Sequence, residues 1–146
     1  MGASRRIWMG LAAASALMSV AVGAFAAHGV GDPIAKDLLR TGAQYQFMHA
    51  MACIACALFI ELGASRARLA PPLFLGGTVI FSGSLYAMAL SAPRWLGAAT
   101  PLGGLAFMAG WAVLVWAAWG IDRSSAAAGP SRLAGEGIGK PKPGRP

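Results

Sequence analysis

The stretch GAFAAHG at residues 23–29 closes the first apolar run of the chain and decides how many helices the protein has. Its AFA triplet at 24–26 has the small-x-small form that precedes a signal-peptidase cut, so cleavage there would remove the first helix. However, the apolar run covers residues 7–27, whereas the apolar region of a secretory signal has only about 7 to 15 residues. We therefore expect the first helix to be retained.

The composition is typical of a membrane protein. Of 146 residues, 57% are hydrophobic and only 12% are charged, about half the charged fraction of a soluble domain. Three further apolar runs, at about 43–62, 72–90 and 101–119, are long enough to cross a bilayer, for which about 20 helical residues suffice. The sequence therefore predicts an all-α integral membrane four-helix bundle within residues 1–121.

The basic residues predict the orientation and argue against a nucleic-acid partner. With the N-terminus in the cytoplasm, nine of the twelve Lys and Arg residues fall on the cytoplasmic side and three outside, as the positive-inside rule requires. We expect a multi-pass bacterial inner-membrane protein with both termini cytoplasmic. The net charge of +7 does not form a stripe along a polar helix, so nucleic-acid binding is not expected. Residues 122–146, rich in Gly, Pro and basic residues without apolar periodicity, are expected to form a disordered basic cytoplasmic tail.

The first loop contains a helix start signal. In GDPIAKDLLRTG, Asp32 can cap a helix that begins at Pro33, and Gly42 can end that helix or bend it into the next one. Ile34 and Leu38 lie one turn apart, which indicates an amphipathic piece. We therefore predict a short interfacial helix between the first two membrane helices.

Small residues recur at helical spacing and favour close contacts between membrane helices. They can serve packing within one chain, a dimer face or a substrate path. The positions expected to pack are Ser15, Ser19, Gly23, Gly83, Gly103, Gly104 and Gly110.

A polar stripe about 100° wide runs along the second helix and should face the bundle interior, because polar groups avoid lipid. Tyr45, Gln46 and His49 lie on it, followed by two cysteines. His28, at the end of the first helix, is expected on the same side of the membrane and at similar depth. With hydroxyl partners on the third helix, the candidate polar site comprises His28, Tyr45, Gln46, His49, Ser82 and Ser84.

The two histidines allow several roles. They could bind a metal, ligate a haem or pass protons. Alternatively, His49 hydrogen-bonds to a hydroxyl of the third helix, and His28 caps its own helix while Gly29 takes a left-handed conformation. Two Cys and two His are too few for a four-Cys zinc site, and no Asp lies at membrane depth to complete a Ser-His-Asp set. We expect no resident metal, no cofactor and no enzymatic activity.

Four stretches in this order, GAFAAHG, TGAQYQFMHAMA, FSGSLYAMAL and TPLGGLAFMAGWAVL, resemble the YgdD-like family of small bacterial inner-membrane proteins. That family has short eukaryotic transmembrane relatives and is catalogued as a domain of unknown function. Its G-x-x-Y-Q-x-x-H pattern falls on residues 42–49, its S-G-S-x-Y pattern on 82–86 and its T-P-x-G-G pattern on 100–104, while Ala26 stands where the family usually has Gly. The resemblance implies four membrane helices, an uncleaved first helix and no known activity.

The function expected from the sequence is that of a non-enzymatic accessory or structural protein of the lipid bilayer, with a second copy or other membrane proteins as partners. The first alternative is a minor transporter or proton-linked channel that uses His28 and His49. The second is a haem- or metal-binding redox subunit.

Overall fold

The computed structural model describes residues 3–121, and the predicted tail at 122–146 lies outside them. The described residues form helices and contain no strand. Each of the four long helices is long and apolar enough to cross a membrane, which confirms the predicted all-α four-helix membrane fold. The helices are α1 (Ala3–His28), α2 (Pro33–Glu61), α3 (Ala70–Ala89) and α4 (Thr100–Ala118), with short 3₁₀ helices at Ser65–Leu69 and Arg94–Ala98.

Helix α2 begins ten residues earlier than the second apolar run, so the prediction of a separate interfacial helix is wrong. The start itself lies where the sequence placed it: Pro33 is the first helical residue, and Asp32 Oδ2 accepts a hydrogen bond of 2.8 Å from the amide of Ala35. The helix continues through Gly42 because a neighbouring ring packs there. A Cβ on Gly42 would lie 2.5 Å from Cε1 of Tyr86. Gly42 is therefore a packing position inside α2, although glycine costs about 1 kcal/mol in a helix interior.

The helices pack in the order of the sequence. Helix α2 packs against α1 and α3, α3 packs against α4, and α2 also touches α4, whereas α1 packs extensively only against α2 among residues 3–121. Helix α2 therefore lies at the centre of the bundle, and α1 leaves a groove between itself and α3.

The buried core consists largely of alanine. Lipid is as apolar as any side chain, so membrane helices associate by close packing rather than by the hydrophobic effect, and small residues permit close approach. Few larger side chains are buried in the core, Phe74 and Phe107 among them. The buried alanines of the core cluster are Ala12, Ala52, Ala64, Ala67, Ala70 and Ala117.

Glycines allow close contacts between α3 and α4. The ring of Phe74 lies against Gly110 and that of Phe107 against Gly77, where a Cβ would meet ring carbons at 2.5 and 2.7 Å. A Cβ on Gly103 would lie 2.6 Å from the backbone nitrogen of Phe81. These positions have no room for a side chain, so they fix the distance between the two helices.

Other predicted packing positions face open space. A Cβ on Gly23, Gly83 or Gly104 would have nothing within 4 Å in the described part of the chain. The prediction that these three pack between helices of one chain is therefore wrong, and a dimer face there stays a prediction. Of the serines on α1, Ser15 contacts α2, while Ser19 is buried and its hydroxyl donates to the carbonyl of Ala16 at 2.7 Å.

Two left-handed residues end α2 and α3. Gly63 has a φ of 90° and Ser91 a φ of 78°. The amide of the next residue donates to the carbonyl oxygen five positions earlier, from Ala64 to Phe59 and from Ala92 to Ala87, both at 2.9 Å. This is the Schellman arrangement. The left-handed cap predicted at Gly29 is wrong, because its φ is not positive.

Candidate functional site

Gln46 connects three helices from the middle of the bundle. Its side chain is buried at 4% exposure. The amide Nε2 donates to the backbone oxygen of Ser15 on α1 at 3.0 Å and to its hydroxyl at 3.2 Å. The amide Oε1 accepts a bond of 2.6 Å from the hydroxyl of Tyr86 on α3. A single side chain on α2 therefore holds both neighbouring helices.

The two predicted serines of α3 also bond between helices, toward different partners. Ser82 donates to the backbone oxygen of Gly42 on α2 at 2.8 Å. The hydroxyl of Ser84 lies 2.7 Å from that of Thr100 at the start of α4 and donates to the carbonyl of Phe81 at 2.8 Å. Ser82 therefore belongs to the contact of α3 with α2, and Ser84 to its contact with α4.

His49 bonds to α4 rather than to α3, which corrects the hydroxyl partners expected from the sequence. Its Nε2 lies 3.3 Å from Nε1 of Trp111, and its Nδ1 lies 2.7 Å from the backbone oxygen of Tyr45. The ring stacks on Phe107, with centroids 3.5 Å apart and planes 6° from parallel. His49 therefore sits in an aromatic pocket between α2 and α4.

These two bonds define the tautomer of His49. An indole N–H can only donate, so Nε2 must be the acceptor. The single ring proton is then on Nδ1, where it is donated to the carbonyl of Tyr45. Both ring nitrogens are engaged, so the arrangement leaves no lone pair directed at a ligand.

The remaining members of the predicted stripe differ in burial. Tyr45 is 39% exposed, and its ring packs on Phe81 with centroids 4.6 Å apart. Cys53 and Cys56 are buried, with Sγ atoms 3.7 Å from the carbonyl of Pro71 and 3.1 Å from that of Ala52. The stripe therefore turns inward at its glutamine, histidine and cysteines and reaches lipid at its tyrosine.

His28 does not join this region. It is the last residue of α1 and is exposed. Because Gln46 bonds Ser15, His49 lies near the level of residue 12, and 16 residues of α1 separate that level from His28, about 24 Å of helix rise. The prediction that both histidines lie at similar depth is wrong, so they cannot jointly ligate a haem or exchange a proton directly. Among residues 3–121, no three His, Cys, Asp or Glu side chains are grouped to hold a metal ion.

The candidate site missed two residues, Tyr86 and Trp111, which complete the hydrogen bonds of Gln46 and His49. A signal for both was present in the sequence. Each lies inside an apolar run, where a buried hydroxyl or indole N–H needs a partner. With them included, every buried side-chain nitrogen and oxygen in the described residues has a hydrogen-bond partner.

Comparison with known proteins gives one family and a consistent set of relatives. The family described as "Protein of unknown function (DUF423)" matches residues 22–104. The UPF0382 membrane protein YwdK of Bacillus subtilis is 38% identical over 118 residues, which are 77% of this chain and 96% of the relative. A UPF0382 membrane protein of Haemophilus influenzae is 41% identical over 75% of this chain and 90% of its own length. The UPF0382 inner membrane protein YgdD of Escherichia coli K12 is 37% identical over 81% of this chain and 93% of its own length. No solved structure matches the chain.

Proposed function

Since the chain belongs to the DUF423 family of membrane proteins, we propose that it acts as a non-enzymatic structural or accessory protein of the inner membrane. Its partners in this role are the lipid bilayer and either a second copy or other membrane proteins.

The observation that carries the proposal is the use of the polar side chains inside the bundle. Gln46 bonds α1 and α3, and Nε2 of His49 bonds α4, so these groups are engaged in holding helices together. A catalytic or transport site keeps polar groups directed at its substrate, and intramembrane polar residues that do such work face a cavity or pathway. Interhelical bonding supports a structural role instead.

His49 is where the structural and proton-carrying hypotheses differ most. Its Nε2 accepts from Trp111, and its Nδ1 proton is donated to the backbone of its own helix. A proton carrier must release and accept protons at both nitrogens or reach water from one of them. Each engaged nitrogen therefore supports a structural role.

Two substitutions at His49 test the proposal. His49→Gln keeps an acceptor for the indole N–H of Trp111, whereas His49→Leu removes that acceptor within a membrane-spanning segment. We expect the Leu variant to lose about 0.5–2 kcal/mol of stability, the range for interhelical hydrogen bonds in membranes, and the Gln variant to lose little. Detergent-solubilised unfolding measures both.

Proton flux provides the functional readout. Proteoliposomes of the wild-type protein should conduct protons no faster than empty vesicles, and the Gln variant should behave identically. A wild-type flux that disappears in a folded His49→Gln variant would contradict the structural role and favour the channel alternative.

We propose that both termini lie in the cytoplasm, which the distribution of nine basic residues against three supports. A reporter fused after Gly120 should be active only in its cytoplasmic form, and one inserted after Gly31 only in its periplasmic form. The opposite pattern would reverse the orientation. Purification in mild detergent should then show whether a second copy or another membrane protein accompanies the chain.

A further inference from the structure

We infer that the end of the bundle where α1 begins and α2 ends binds one anionic phospholipid, with its phosphate at Arg5 and Arg68 and one acyl chain in the groove between α1 and α3. A cavity of about 420 Å³ at this end is bordered by Arg5 from α1, Arg68 from the 3₁₀ helix Ser65–Leu69, and Trp8. Trp8 also borders a second cavity of about 600 Å³ that follows the groove. Both cavities thus border Trp8, the first with the two arginines and the second with a mostly apolar lining.

The charges at the first cavity suit a phosphate. Arg5 Nη1 binds Glu61, but a guanidinium has five N–H donors, so donors remain for a second anion. Arg68 is exposed and makes no ion pair within residues 3–121. Basic residues at a membrane surface attract anionic headgroups with about 1 kcal/mol each. Two arginines from different elements thus face one headgroup position.

The groove has the length and lining that an acyl chain requires. It extends along α1 from the level of Arg5 to Met18, which is about 20 Å of helix rise and slightly exceeds the roughly 15 Å depth of one leaflet. The polar atoms at its floor, on Gln46, Ser15 and Tyr86, bond one another. An acyl chain can therefore cover them without breaking a hydrogen bond.

The volume favours a lipid chain over a helix of a second copy. A methylene occupies about as much volume as a water molecule, roughly 30 Å³, so a chain of about 16 carbons needs roughly 500 Å³. A 20 Å section of helix with a diameter of about 10 Å needs roughly 1,600 Å³. The second cavity alone offers about 600 Å³, so it can enclose the chain, whereas a helix could only lie across its open mouth.

Arg68→Gln tests the headgroup contact, and Arg66→Gln is its matched control. Both residues are exposed in the same 3₁₀ helix, but Arg66 lies over the ring of Trp116, 4.4 Å from its centroid, and does not border the cavity. We expect Arg68→Gln to weaken phosphatidylglycerol binding to the purified full-length protein about fivefold, as native mass spectrometry would measure it. Arg66→Gln should bind as the wild type does.

Gly83→Leu tests the groove, and Gly104→Leu is its control, because a Cβ at either position enters open space but only Gly83 borders the groove. Gly83→Leu should abolish retention of phosphatidylglycerol without lowering thermal stability, while Gly104→Leu should retain it. Phosphatidylcholine should bind more weakly than phosphatidylglycerol, and inorganic phosphate should not displace the lipid.

Four results would overturn the site. The first is an equal loss of phosphatidylglycerol binding in Arg66→Gln and Arg68→Gln, and the second is binding of phosphatidylcholine as tight as that of phosphatidylglycerol. The third is displacement of the bound lipid by inorganic phosphate. The fourth is a wild-type dimer that Gly83→Leu converts to a monomer. The last would show that a second copy fills the groove.

Discussion

Replacing Gln46 with Leu should destabilise the bundle by about 2 kcal/mol. The substitution removes the bonds to the Ser15 carbonyl at 3.0 Å, to its hydroxyl at 3.2 Å and to the Tyr86 hydroxyl at 2.6 Å. Interhelical hydrogen bonds in membranes contribute about 0.6 kcal/mol on average and about 1.7 at most. Three average bonds therefore amount to about 2 kcal/mol, and Leu fills nearly the same space, so the cost of a cavity stays small.

A double-mutant cycle with Tyr86→Phe isolates one of these bonds. The Tyr86 hydroxyl donates to Gln46 across the helix interface, so Tyr86→Phe alone should cost about 1 kcal/mol. Once Gln46 is Leu, the hydroxyl has lost this acceptor, and Tyr86→Phe should cost nothing or should stabilise. The coupling between the two substitutions should therefore be about 1 kcal/mol.

The assay is reversible unfolding in mixed micelles, with denaturing detergent as the titrant and tryptophan fluorescence as the signal. Thr78→Val is the control. Thr78 borders the same groove, but its hydroxyl donates at 2.9 Å to Phe74 of its own helix, so we expect a nearly neutral effect. If the Gln46 and Tyr86 effects add within about 0.5 kcal/mol, the hydrogen-bonded bridge between α2 and α3 does not contribute to stability and the reasoning is refuted.

Three further predictions concern packing, helix ends and the N-terminus. Gly103→Ala should destabilise the protein by about 1–3 kcal/mol, because its Cβ would meet backbone at 2.6 Å. The adjacent Gly104→Ala should be neutral or should stabilise by up to about 1 kcal/mol, and equal effects of the two substitutions in the same unfolding assay would contradict the packing. Both Ser91 and Gly63 have left-handed backbone, so Ser91→Gly should stabilise the protein and Gly63→Ala should destabilise it, each by about 1–2 kcal/mol. Changes in thermal stability with the opposite signs would refute this prediction. Intact mass spectrometry of the protein isolated from membranes should retain residues 1–26, and their loss would identify GAFAAHG as a cleavage site.

The membrane helices were predictable because the bilayer imposes their length and leaves backbone groups no partner except one another. The start of α2 was predictable too, from Asp32 and Pro33. Its continuation through Gly42 was not. Local propensity there disfavours helix by about 1 kcal/mol, and the contact that reverses the outcome comes from Tyr86, 44 positions away.

Burial was predicted correctly for Gln46 and His49 but not for Tyr45, which is 39% exposed, and the partners of the buried residues were not predicted. The buried positions of Gln46 and His49 follow from the rule that polar groups avoid lipid. Which helix each one reaches depends on the rotation of α1 and α4 about their own axes. No local pattern encodes that rotation, so Ser15 and Trp111 were not assigned as partners. The depth of His49 was also misjudged, since the ten residues assigned to a separate helix in fact extend α2 and place His49 farther from the end at His28.

The hydrogen bonds of Gln46 and those of His49 reach different helices, which explains how α2 can position three helices at once. Gln46 and His49 lie three residues apart, so their side chains project about 60° apart around α2. One reaches α1 and α3 and the other reaches α4. Apolar contacts alone discriminate poorly between helix faces in a bilayer, because lipid replaces them at little cost.

Hydrogen bonds do discriminate between helix faces, because a rotation of α1 by one residue, about 100°, would turn Ser15 away from Gln46 and leave a buried amide without its acceptors. Within the described part of the chain, α1 has no other extensive partner that could correct such a rotation. The polar residues therefore specify the arrangement of the bundle, which its alanine-rich contacts then make compact.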